Sequence, residues 1–258
     1  MSSNPSTIRL TKRERVELNR QRADLIRSNF DNLSDQLKIS IDCSFNHIMN
    51  ESEKKSLTVQ IQECYSHLRN EGAGICQMFV ASADDWLRET LVLKGGEQWA
   101  IQTTSDGIEQ IARKYDLNVL VMSPDATEEL TMDDVTDRKN LFVIGGIVDR
   151  IVSKNETSHK AIRLGMRARK LPMDPTLIRN RVFNIDSVFM FLIMCLKSNV
   201  NTRDDMLKTL DLVLPDRKRG ACEMAPQKSL QQPARAGEDT YEGNSVKLDS
   251  YRIMELFQ

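Results

Sequence analysis

Charge of one sign is missing from this chain: 36 Lys and Arg nearly cancel 37 Asp and Glu, leaving a formal net charge of −1 over 258 residues. Bulk electrostatics therefore favours neither nucleic acid nor an anionic membrane surface, and any electrostatic function has to be local. Cysteine is sparse. The five (Cys43, Cys64, Cys76, Cys195 and Cys222) show no CxxC spacing, and an odd number in a long chain argues against a disulfide framework. A reducing compartment is the simpler expectation. The three histidines, His47, His67 and His159, are far apart in sequence without HxxxH spacing, so no structural metal is expected. No hydrophobic run reaches bilayer length. The most apolar stretch, "VFNIDSVFMFLIMCL" (182–196), carries Asn184 and Asp186 and falls short of the roughly 18 to 20 residues a span needs. It reads as a core helix. The first residues have no signal-peptide apolar region, although Arg9, Lys12 and Arg13 among Ser and Thr leave a mitochondrial presequence as an alternative to nucleus or cytoplasm. Neither the GxGxxG dinucleotide fingerprint nor the GxxxxGK[ST] phosphate loop is present, so a nicotinamide or ATP site has no support.

What is present is ordinary globular composition, 28% charged and 40% hydrophobic, in short apolar runs that alternate with helical stretches from residue 37 onward. That alternation marks α/β layers. Strands are predicted at 37–45, 74–82, 98–104, 117–123, 140–148 and, briefly, 166–172. Their Val and Ile runs suit a sheet covered on both faces. Helices are predicted at 51–70, where Leu57, Ile61, Cys64 and Leu68 share a face, and at 105–115 after a Ser105-Asp106 cap. Further helices are expected at 157–165, ending on Gly165, and at 184–197 and 202–213. Residues 9–28 hold seven basic and three acidic side chains with a sparse apolar face, an exposed helix or mobile arm. The chain divides into a basic segment (1–36), a main domain (37–215) and a tail (216–258) that mixes Pro, Gly, Gln and charge without periodicity, expected to be largely disordered.

The stretch "LFVIGGIVDRIVSK" (141–154) ends a buried strand at Gly145-Gly146 and then delivers Asp149, Arg150 and Lys154. Glycines at the carboxyl edge of a parallel sheet let a ligand approach uncovered main-chain amides. A tight turn is the plainer explanation. Asp149 by itself reads equally as a helix cap or a partner of Arg150.

Five ordered blocks bear on that choice: "IDCSFNHIMNESEKKSLTVQIQECYSHLRN" (41–70), "VMSPDATEEL" (121–130), "NLFVIGGIVDR" (140–150), "GMRARKLPMD" (165–174) and "NIDSVFMFLIMCL" (184–196). Together they resemble the tRNA guanine-9 methyltransferase family over roughly residues 9–219. The resemblance implies the SPOUT class, a Rossmann-like, mostly parallel α/β sheet with a C-terminal trefoil knot that binds S-adenosyl-L-methionine in a bent shape. It implies methyl transfer to ring nitrogen 1 of the purine at position nine of tRNA, usually guanine and in some members adenine, with Asp149 as general base. The cofactor would be held by Met122 and Ser123, by Gly145 and Gly146, and by Leu171 to Met173, with Ile185, Asp186 and Val188 beside it; ordinary core remains the alternative for Leu171, Ile185 and Val188. The basic segment, through Lys12, Arg13, Arg15, Arg20 and Arg22, would grip tRNA, with Arg150, Lys154 and Arg169 holding its backbone near the site. Solvated surface charge is the alternative for each of these.

The sequence also departs from the family. Ile151 follows Asp149-Arg150 where relatives commonly have Asn, Asp186 stands where Asn is usual, and Arg167-Ala168-Arg169-Lys170 replaces a Thr-Ala-containing run. The segment after Pro172 is a few residues short. These changes bear on substrate base and rate more than on fold, and they keep a second reading open, a tRNA-binding scaffold with weakened catalysis. A monomer is expected, with a dehydrogenase partner only if the chain is mitochondrial.

Overall fold

The computed structural model describes residues 11–28, 33–148, 156–173, 183–198 and 200–214, all within one compact unit, Met1–Pro215. Six strands form one sheet: β1 (Leu37–Asp42), β2 (Cys76–Ala81), β3 (Gln102–Thr103), β4 (Asn118–Met122), β5 (Asn140–Gly145) and β6 (Arg167–Arg169). They stand in the order β3-β2-β1-β5-β4-β6, and every neighbouring pair is parallel. Every residue of β1 and β2 is buried, including the polar Lys38, Ser40, Asp42 and Gln77, as a parallel sheet covered on both faces requires.

The helices are α1 (Lys12–Ser28), α2 (Glu51–His67), α3 (Asp85–Leu93), α4 (Ile108–Tyr115), α5 (Met132–Thr136), α6 (Glu156–Arg163), α7 (Ile185–Lys197) and α8 (Arg203–Val213). Among the described residues, no helix is long and apolar enough to cross a membrane. α2 starts where its sequence dictates. The Asn50 side chain accepts from the N–H groups of Ser52 and Glu53, and Glu53 reaches back to the Asn50 N–H at 2.8 Å. The predicted cap of α4 is displaced, because the Asp106 N–H is bound by the Thr104 hydroxyl at 3.0 Å. The helix opens instead at Gly107, whose N–H donates to Gln110 Oε1. Gly165 ends the α6 segment with φ +62°, the left-handed conformation expected of a glycine after a helix. The run predicted as a strand at 98–104 shrinks to the two residues of β3, because Gly96–Gln98 makes a 3₁₀ turn and Trp99 stacks on Tyr65 at 4.9 Å.

α2 and α7 run side by side. At the start of α7, the Ile185 N–H donates to Gln60 Oε1 in the middle of α2 at 2.8 Å; at the end of α7, Lys197 pairs with Glu71, just beyond α2. Between them a Cβ on Gly72 would lie 2.9 Å from Ile193 Cδ1, so the glycine lets the two backbones close.

α1 docks at the amino-terminal edge of the sheet. Ile26 is fully buried, and its carbonyl accepts from the buried Gln77 amide of β2 at 2.7 Å. Arg22 donates to Asn70 and Arg27 to the Gln98 carbonyl. The same edge holds Lys38, which is buried with its ammonium donating to the carbonyls of Ser34, Gln36 and Arg138. Burial pushes its pKa down to about 8.

Candidate functional site at the carboxyl edge of the sheet

Because β5 lies between β1 and β4, its last residue, Gly145, faces the ends of both neighbours. Asp42 of β1 is in register with Gly145, and Met122 of β4 with Ile144. The glycine pair is explained by the protein's own packing. Neither glycine has positive φ, so no left-handed turn demands them. A Cβ on Gly145 would meet Thr157 Oγ1 of α6 at 2.5 Å, and one on Gly146 would meet the Asp42 carbonyl oxygen at 2.8 Å. The expected uncovered amides are also spoken for in part. The Gly146 N–H donates to the Asp42 carbonyl and the Ser123 N–H to the Arg169 carbonyl, each at 2.9 Å.

Three chain segments converge here. The chain after β4 is laced to the end of β6: Lys170 N–H donates to the Glu128 carbonyl, and Leu130 N–H to the Lys170 carbonyl. This brings Met122 and Ser123 beside Leu171 and Met173, with Gly145 and Gly146 on the other flank of β4. Leu171, Ile185 and Val188 are buried within the protein itself, so each contributes to the core whatever else it does. The Met173 carbonyl accepts from Arg203 of α8.

Asp186, in the first turn of α7, is partly buried. Burial raises its carboxyl above the ordinary range, His67 opposes that shift, and Glu63 adds to it. His67 in turn is lowered, first by its own burial.

Two further groups occupy the same edge. The Asp42 carboxylate, 3% exposed, is bound by Lys160 of α6 at 2.6 Å, and Lys160 also donates to the Ser44 hydroxyl at 3.0 Å. Asn46 follows in a short 3₁₀ turn, Asn46–Ile48.

The model of the tRNA (guanine(9)-N(1))-methyltransferase TRM10/TRM10A family matches residues 4–219. The chain belongs to that family. It is 28% identical over 219 residues to tRNA methyltransferase 10 homolog A of Mus musculus, covering 81% of this chain and 61% of the relative. It is also 28% identical over 189 residues to the tRNA (guanine(9)-N1)-methyltransferase of Schizosaccharomyces pombe, covering 70% and 59%. The chain thus spans about three fifths of the length of these curated relatives. The crystal structure of full-length spTrm10 in complex with SAH superposes with TM-score 0.59 at 26% identity, over 69% of this chain and 94% of that one. A dual-specific Trm10 from Thermococcus kodakaraensis, 18% identical with TM-score 0.51 over 67% of this chain and 98% of that one, shares the fold. The parallel six-stranded α/β sheet is therefore that of the Trm10 methyltransferases, the SPOUT class.

Within this family frame, Asp149, Arg150 and Lys154 lie outside the described residues, as do 174–182, so the segments through which a knot would thread are only partly described. Lys12, Arg13, Arg15 and Arg20 are exposed on α1; Arg20 pairs with Glu17, and Arg22 is held by Asn70. Arg169 differs from its expected role. Its guanidinium donates to Asp134 at 2.9 Å and pairs with Glu128, only 16% exposed, so it fastens β6 to the segment before β5 instead of facing RNA. Burial acts to raise the Asp134 carboxyl, but bonds from Arg169 and Thr131 outweigh it and hold the pKa below the usual range. Sequence reasoning missed Asp42, Lys160 and Asn46. A carboxylate closing a fully buried strand was the available signal for the first.

Proposed function

We propose that this chain transfers the methyl group of S-adenosyl-L-methionine to ring nitrogen 1 of the purine at position nine of tRNA, guanine favoured, with Asp149 as general base. The observation that carries the reading is family membership over residues 4–219, joined to three strand ends that converge at one edge of a parallel sheet. The residues fit the donor: Met122, Leu171, Ile185 and Val188 offer apolar wall, and Asp186 offers negative charge to a cationic group. The donor supplies an electrophilic methyl on sulfonium.

Guanine nitrogen 1 carries a proton that must leave as the methyl arrives. A carboxylate of ordinary pKa, about 3.9, is a weak base for it, so Asp149 contributes as much through position as through basicity. The basic face of α1 begins at the amino-terminal edge of the sheet, and a strand of six residues separates the edges by about 20 Å. A substrate engaging both has to span that distance and meet the basic side chains of α1, which suits tRNA. We take the enzyme as a monomer, with a dehydrogenase partner belonging only to a mitochondrial setting.

The test is a single-turnover measurement on Asp149→Asn at saturating tRNA. The rate falls by roughly 100 to 10,000-fold while cofactor affinity holds. Unchanged turnover removes Asp149 from the mechanism. The alternative, a tRNA-binding scaffold with weakened catalysis, is favoured by Ile151 and Asp186 and predicts tight tRNA binding with negligible transfer in the unmodified protein.

A further inference from the structure

Asn46 is 5% exposed, and neither its Nδ2 nor its Oδ1 has a hydrogen-bond partner. Among the described residues it is the only carboxamide with both its nitrogen and its oxygen buried and unmet. Native proteins leave few such groups, because a desolvated amide without partners is costly, and each one calls for an explanation. Its main chain is fixed: the Asn46 N–H donates to the Cys43 carbonyl, and its own carbonyl accepts from Met49, both at 3.3 Å. The polar neighbours on the same strand end are committed elsewhere. Lys160 is bound to Asp42 and to the Ser44 hydroxyl, while the Ser44 N–H is bound to Asp42 at 3.2 Å.

Position decides which ligand would complete it. Asn46 lies four residues beyond the end of β1, on one flank of β5, whereas two of the segments assigned to the methyl donor, those after β4 and β6, lie on the other. The chain leaves β5 at Gly146 between the two flanks. Of donor and acceptor, the group that belongs on the β1 side is the methyl acceptor.

Resting on the function proposed above, we infer that Asn46 is a specificity residue that reads guanine through its exocyclic N2 amino group and ring N3. A carboxamide offers one donor beside one acceptor. On guanine's Watson–Crick edge a bidentate amide would occupy N1, the atom that must stay open for methylation. On the N7/O6 edge guanine shows two acceptors and gives Oδ1 nothing to accept. The N2/N3 edge matches: the N2 amino group donates to Oδ1, N3 accepts from Nδ2, and N1 stays free. Adenine has no amino group on that edge.

The experiment compares tRNA transcripts carrying guanine or inosine at position nine, since inosine keeps N1–H and O6 and lacks only the N2 amino group. The unmodified protein is expected to favour guanine by at least about tenfold in kcat/KM, the effect of leaving one buried acceptor unpaired. Asn46→Ala should lower the guanine rate towards the inosine rate and flatten the ratio. Its Tm should hold or rise, because the substitution removes two unmet buried groups; a fall in Tm with the ratio intact would mark Asn46 as structural and overturn the inference. Equal use of guanine and inosine by the unmodified protein, or a preference for adenine, would also overturn it. Should no transcript be methylated, the proposed function fails by itself, and equilibrium binding decides Asn46. A guanine-over-inosine preference in Kd that Asn46→Ala removes supports the assignment, and equal Kd values end it.

Discussion

Placing a methyl group on each glycine of the Gly145-Gly146 pair separates two reasons for their presence. In Gly146→Ala the new Cβ would lie 2.8 Å from the Asp42 carbonyl oxygen, and ordinary contact begins at 3.4 Å, so β1 and β5 must part by the difference, 0.6 Å. The obstacle is main chain and cannot rotate away. Parting the strands also strains the 2.9 Å bond from the Gly146 N–H to that carbonyl. Overpacking of this kind costs about 1–3 kcal/mol, and the weakened hydrogen bond adds about 1. For a unit of this size, at about 2–4 °C per kcal/mol, that is a fall in Tm of about 4–16 °C. In Gly145→Ala the obstacle is a side chain, Thr157 Oγ1 at 2.5 Å. Removing it should rescue the variant: Gly145→Ala with Thr157→Ala recovers at least about 1 kcal/mol, whereas Thr157→Ala does nothing for Gly146→Ala. Equilibrium urea unfolding followed by circular dichroism reads the unmodified protein and each of these variants. If both single glycine variants unfold at the unmodified midpoint while S-adenosylmethionine affinity collapses, the glycines serve the ligand and the packing argument is refuted.

Lys160→Met leaves the buried Asp42 carboxylate without its cation and should destabilise the fold by about 3–5 kcal/mol in the same unfolding assay, with Asp42→Asn added in cis recovering part of the loss. For Asp186 the folded pKa is raised above its ordinary value, so its penalty is absent below the unfolded pKa of about 3.8 and grows as pH rises through the folded pKa. Asp186→Asn should therefore raise Tm at neutral pH and lose that advantage near pH 3.8; a Tm difference independent of pH would contradict the assignment. For α1, tRNA affinity should fall steeply with salt, and alanine at Arg13 or Arg15 should each reduce the slope of log affinity against log salt by up to about 0.9. A nearly flat dependence in the unmodified protein removes α1 from the RNA contact.

β4 and β5 were legible because each is an apolar run rich in Val, Leu and Ile closed by turn residues, whereas β6, Arg-Ala-Arg, carries no such signal of its own. β3 was overdrawn because nothing local reveals that Trp99 leaves the strand to stack on Tyr65. α3 was missed although Asp84 caps it by accepting from the Leu87 N–H and Leu87 and Leu91 share its buried face, a signal the short span 85–93 did carry. The grouping of Met122, Gly145 and Leu171 was implied by the family resemblance that the ordered blocks carry. Partnerships across the sheet did not. Asp42 and Lys160 are 118 residues apart, and Arg169 and Asp134 are joined through the pairing of β4 with β6. The reason for Gly146 is a distance between two backbones, and for Gly145 the approach of Thr157 from α6, neither of which a residue pattern encodes.

The most direct measurement of the central claim is incubation of the purified protein with methyl-labelled S-adenosylmethionine and three tRNA transcripts that differ only in carrying G, A or U at position nine. The account predicts label in the G transcript, on ring nitrogen 1 of that nucleotide, and none in U. Label in all three alike, or in none at saturating donor, would contradict it.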